Sequence, residues 1–68
     1  MTEKDQGTIR WYDETRGYGF IDADSGGDVF LHRNAFLDIA PLAGDRVAYV
    51  IGPDPKTGRP AAREVELI

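Results

Sequence analysis

The chain has no cysteine and a single histidine among its 68 residues. That excludes a disulfide scaffold, a thiolate metal site and a histidine-rich metal cluster. No apolar run approaches the 18 residues that a membrane-spanning helix needs. The first residues, Met1 to Gln6, are polar and lack the charged-then-apolar pattern of a signal peptide. They are expected to be a mobile lead-in, and these absences together suit a reducing cytoplasm. Basic charge is scarce as well: 8 Lys and Arg stand against 12 Asp and Glu, for a net charge of −4. That balance weighs against any partner recognised by phosphate neutralisation alone. One domain spanning residues 1–68 is expected at this length, with a modest core and little room for a deep catalytic cleft. No phosphate-loop motif is present, and no nucleophile stands beside a base. Asp22 and Asp24, two residues apart beside a Ser25-Gly26-Gly27 turn, read as hairpin decoration. The expectation is therefore a protein that is not an enzyme, with no cofactor and no metal.

Aromatic side chains are present in a telling arrangement. Tyr18 and Phe20 alternate with Gly17, Gly19 and Ile21, while Phe30 and His32 alternate with Val29 and Leu31. Alternate residues of a strand share a face, so two paired strands would gather these rings on one side. The rest of the chain reads as short strands and turns. Strands are expected over Gly7 to Tyr12, Tyr18 to Ala23, Asp28 to His32, Arg46 to Ile51 and Ala62 to Ile68. A single helical turn is expected within Arg33 to Ile39, ended before Pro41. Gly26-Gly27 suits a hairpin that needs positive φ, and Gly52 to Pro60 is a turn-rich loop.

Five short strands point to an all-β, five-stranded antiparallel barrel, because closure removes exposed edges. Ile9, Ile21, Val29, Leu31, Val47, Ile51, Val65 and Leu67 can fill such a core without the rings, and Tyr49 reads as core or rim. The rings are then free to face outward. Trp11 resists this scheme. Strict alternation puts it on the same face as Ile9, and only a bulge near Arg10 would turn it out.

At these residues the chain resembles the cold-shock domain family. Arg16-Gly17-Tyr18-Gly19-Phe20-Ile21 is similar to the family's first ribonucleoprotein motif, and Asp28-Val29-Phe30-Leu31-His32 to its second. Arg10-Trp11-Tyr12 is similar to the basic-Trp-aromatic triplet of the family's first strand. The resemblance runs from about Gly7 to Val65. It implies an oligonucleotide-binding (OB) barrel that binds single-stranded RNA and single-stranded DNA, often pyrimidine-rich, and acts as an RNA chaperone or a regulator of transcription or translation. By position it carries binding roles to Arg10, Trp11, Tyr12, Arg16, Tyr18, Phe20, Asp28, Phe30 and His32, and it implies an outward Trp11.

Arg33, Lys56 and Arg59 complete the expected nucleic-acid-binding set as cations for phosphates or base edges. Asp28 reads either as a base-edge acceptor or as a cap on the Gly26-Gly27 turn. The chain departs from the family at Arg33, where an aromatic is usual, and in a shorter loop from Phe36 to Gly44, where Ile39 is the nearest counterpart of the usual aromatic. At Gly58-Arg59-Pro60 an arginine splits the usual Gly-Pro pair. A monomer is expected, with strand exchange through the Gly52 to Pro60 loop conceivable. The rival reading is a barrel turned to protein partners, with weakened nucleic-acid affinity; net charge, Arg33 and the shortened loop speak for it.

Overall fold

The computed structural model describes residues 4–36 and 42–68. Five strands follow in order: β1 (Asp5–Asp13), β2 (Tyr18–Ala23), β3 (Asp28–His32), β4 (Arg46–Pro53) and β5 (Pro60–Leu67). β2 and β3 match the expected ranges residue for residue. β1 starts earlier than expected because Asp5 and Gln6 pair with Tyr49 and Ala48 of β4, which draws the end of the polar lead-in into the sheet. β4 runs on to Pro53 and β5 begins at Pro60, because Gly52 and Pro53 pair with Ala61 and Pro60. The helical turn after β3 is a 3-10 turn over Arg33–Ala35. Phe36, expected within that turn, is instead extended and bridges to Val65, and residues 37–39 lie outside the described residues.

The strands close into a barrel in the order β1-β2-β3-β5-β4. Four of the neighbouring pairs are antiparallel, and the fifth, β3 with β5, is parallel at Leu31 and Ala62. The expected five-stranded antiparallel barrel thus closes through one parallel pair, and the reason is topological. Strands that alternate up and down around a closed ring must be even in number, so five leave one parallel pair.

Turn chemistry joins the strands. Gly26 and Gly27 have φ of 109° and 80°, a region closed to most residues, so the β2–β3 hairpin depends on both glycines. Between β1 and β2, the Asp13 carboxylate accepts from Thr15 N–H (2.9 Å) and Arg16 N–H (3.2 Å). Arg46 of β4 forks onto both carboxylate oxygens of Asp24 at 2.7 Å each and also donates to the Thr8 hydroxyl at 3.1 Å. That cluster ties β4 and β1 to the far end of the hairpin.

Ile9, Ile21, Leu31, Ala35, Val47, Tyr49, Ala62 and Val65 form the core, with Tyr12, Val29 and Phe36 packed against it. Burying each large member contributes roughly 1.5–3 kcal/mol of transfer free energy. Two expected core residues lie elsewhere: Ile51 is 49% and Leu67 40% exposed. Ala48 pairs with Glu66 but Val50 with Arg63, so β5 spends one residue more than β4 over this stretch. Glu64, at φ 53°, lies within that bulge. The added bend and twist carry the later half of β4 off the interior, and Ile51 with it. Leu67 is the last residue of β5 and lies at the open rim. Tyr49, only 1% exposed, fills the space instead.

Candidate nucleic-acid interface

The interface begins with an irregularity in β1. Ile9 pairs with Ile21 but Trp11 pairs with Phe20, so Arg10 is the extra residue of a bulge. The bulge leaves no backbone group stranded at its start. Ile9 N–H donates to the Asp45 carbonyl and Gly44 N–H donates to the Ile9 carbonyl, both at 2.8 Å. Alternation resets after Arg10: Ile9 stays in the core and Trp11 turns outward, 39% exposed. This is the bulge that an outward Trp11 requires.

β2 presents its next face in register. Phe20 lies opposite both Trp11 and Phe30, and Tyr18 lies opposite His32. Ring centroids are 5.4 Å apart for Trp11 and Tyr18, 5.6 Å for Trp11 and Phe20, 5.7 Å for Phe20 and Phe30, and 5.8 Å for Tyr18 and Phe30. The four rings therefore close a cycle of contacts across three strands. They meet edge-on or tilted, the arrangement that favours aromatic pairs while leaving ring faces open. Glycine makes the close approach behind them feasible. A β-carbon on Gly19 would lie 2.8 Å from Tyr12 Cα and would collide with the Trp11 carbonyl oxygen. Gly19 is buried under the platform, and its lack of a side chain lets β1 cross tightly over β2.

Cations ring this face but are partly committed. Arg10 Nη1 donates to both Asp28 carboxylate oxygens, at 2.6 and 2.8 Å. That contact engages Asp28 with a cation of the face itself. Arg16 lies 3.7 Å from Asp13 and makes a long 3.5 Å contact with the Tyr18 hydroxyl, which raises the arginine's proton affinity further. Arg33 donates its N–H to the Gly17 carbonyl at 2.8 Å. Its guanidinium lies where a Gly17 side chain would be, so it pins the β1–β2 turn. His32 caps the 3-10 turn, its Nδ1 taking a long 3.5 Å contact from Asn34 N–H. The ring is half-buried beside the platform.

The β4–β5 loop supplies the last side of the interface. Phe20, Phe30, Thr57, Arg59 and Pro60 line one open cleft. Thr57 and Pro60 were not among the site residues expected from sequence; the signal for them was their place on either side of Arg59. Lys56 is exposed on the same loop. Asp54 anchors the loop, and it is 4% exposed. Its carboxylate accepts from Thr57 N–H (2.9 Å), Lys56 N–H (3.0 Å) and the Thr57 hydroxyl (3.3 Å). The Thr57 N–H, above all, holds the carboxyl below the ordinary carboxylate range against the opposing effect of burial.

Tyr12 is the expected site residue that the structure sets apart. The same reset that turns Trp11 out turns Tyr12 in. Its ring meets Phe36 edge-on at 5.1 Å and packs against the core, and burial pushes its phenol up. Ile39, the expected stand-in for the loop aromatic, lies outside the described residues.

An exposed aromatic face on a closed five-stranded barrel defines the class of small oligonucleotide-binding barrels. Residues 5–68 match the family model described as the 'Cold-shock' DNA-binding domain, and the chain belongs to that cold-shock domain family. It is 40% identical over 55 residues to cold shock protein CspV of Vibrio cholerae, covering 75% of this chain and 79% of that protein. Against cold shock protein CspA of Rhizobium meliloti the identity is 38% over 60 residues, covering 82% and 87% of the two chains. Against the probable cold shock protein y4cH of Sinorhizobium fredii it is 35% over 65 residues, covering 88% and 93%. The family binds single-stranded nucleic acids and is not an enzyme family. Among the described residues, no helix is long and apolar enough to cross a membrane.

Proposed function

We propose that this protein binds single-stranded RNA and DNA by stacking bases on Trp11, Tyr18, Phe20 and Phe30, with His32 at the margin. The observation that carries the reading is the closed cycle of four ring contacts on the barrel surface. Every base has a π-face, so such a surface selects for unpaired bases more than for sequence. A pyrimidine-rich strand is the proposed ligand, bound by one copy of the chain in the cytoplasm. Holding bases unpaired opens weak RNA hairpins by mass action, which is the work of an RNA chaperone or a regulator of transcription or translation.

Phosphate contacts play a secondary part. Arg10 and Arg16 already face Asp28 and Asp13, which leaves chiefly Arg33, Lys56 and Arg59 for phosphates. Two or three phosphates neutralised give a salt slope of about −2 on a single strand. The test is quenching of Trp11 fluorescence by an oligothymidine heptamer, set beside a duplex of equal length at two salt concentrations. Single-strand binding with a shallow slope supports the reading. Equal affinity for duplex points to plain electrostatics, and no quenching at high micromolar strand favours the protein-partner barrel.

A further inference from the structure

Arg59 is the cation of the cleft beside Phe20 and Phe30, yet it stands on a loop rather than a strand. A guanidinium on a long side chain is useful there only if its backbone is held. Two sets of bonds hold it. Asp54 N–H donates to the Arg59 carbonyl and Gly58 N–H donates to the Asp54 carbonyl, both at 2.8 Å. The Thr57 hydroxyl then donates to the Asp54 carboxylate at 3.3 Å and accepts from Arg59 N–H at 3.2 Å. A buried carboxylate, a hydroxyl and the arginine's own amide thus form one chain of hydrogen bonds.

Resting on the binding role proposed above, we infer that Asp54 and Thr57 are positioning residues that set Arg59 over the outer base subsite formed with Phe30. Neither needs to touch the ligand through its polar atoms. The hydroxyl of Thr57 is the vulnerable link because it is both donor and acceptor, and valine copies its shape without its chemistry. Asp54 is less useful as a probe, since removing a buried carboxylate leaves two N–H groups without their partner and endangers the fold.

The experiment is a double-mutant cycle on the full chain with an oligothymidine heptamer. Thr57→Val is expected to weaken binding about fivefold, the effect of one hydrogen bond, with little change in thermal midpoint. Thr57→Ser is expected to restore wild-type affinity. In an Arg59→Ala background, Thr57→Val is expected to cost nothing further, because the group it positions is gone. Unchanged affinity in Thr57→Val overturns the inference, and so does an equal loss with and without Arg59. A wild-type chain that ignores the oligonucleotide overturns the binding reading itself, whereas a binding wild type with an indifferent Thr57→Val overturns this inference alone.

Discussion

Replacing Phe30 by alanine separates binding from folding better than any other change on this face. The ring is half-buried and touches Tyr18 and Phe20, at 5.8 and 5.7 Å between centroids, and it forms one wall of the cleft that holds Arg59. One stacked base is worth roughly 1–3 kcal/mol by alanine substitution. A central value of about 2 kcal/mol corresponds to about a thirtyfold loss of affinity. The folded state loses two aromatic contacts of about 0.5–1.5 kcal/mol each. A chain of this size carries about 3–10 kcal/mol of stability in total, so the variant's melt must show a folded protein before its affinity is read. Trp11 contacts Tyr18 and Phe20 rather than Phe30, and it survives as the fluorescent reporter. Titration with an oligothymidine heptamer, run beside a thermal melt of the same sample, reads both quantities. A dissociation constant within twofold of wild type in a folded Phe30→Ala protein refutes base stacking on this platform.

Two further outcomes test the scaffold. Gly19→Ala should destabilise the barrel by several kcal/mol or abolish folding, because its β-carbon meets backbone of β1 that cannot yield; a thermal midpoint near wild type would show that β1 crosses β2 less tightly. Asp24 and Asp54 are both held below the ordinary carboxylate range in the folded state, by the Arg46 fork and by the Thr57 N–H respectively. A lowered folded pKa makes the unfolded chain bind more protons, so this stability is complete above about pH 4 and drains away as pH falls further. Asp24→Asn should flatten that acid limb of a denaturation series, and an unchanged limb would assign acid lability to other groups.

Much of this architecture was legible in the order of residues, and the places where it was not share one cause. β2 and β3 have clean alternation, with glycines in the turn before β2 and in the hairpin between the two, so their ranges and faces followed from pattern. Alternation fails wherever a strand spends an extra residue. At Arg10 the conflict between Ile9 and Trp11 marked where a bulge would be needed, without showing that one was there. At Glu64 nothing did, since a glutamate in the left-handed region carries no warning, and Ile51 was misplaced as a result. Tyr12 shows the limit of reading residues by resemblance: its motif position marks it for binding, while the reset after Arg10 sends its ring to Phe36. Nothing in the sequence distinguishes Asp54 from the chain's other acids, because burial of a carboxylate follows from which N–H groups the fold brings to it.

The parallel meeting of β3 and β5 has a mechanical consequence. Leu31 with Ala62, helped by Phe36 with Val65, is all the pairing described along that line, whereas every other line of the barrel is a ladder of several pairs. The barrel is therefore a curled sheet fastened along one side by a short seam. Phe30 stands on one side of the seam and Arg59 just before the other. On the proposed binding mode, a strand of nucleic acid that engages both would lie across the fastening like a stitch, so occupancy and closure of the barrel would reinforce each other.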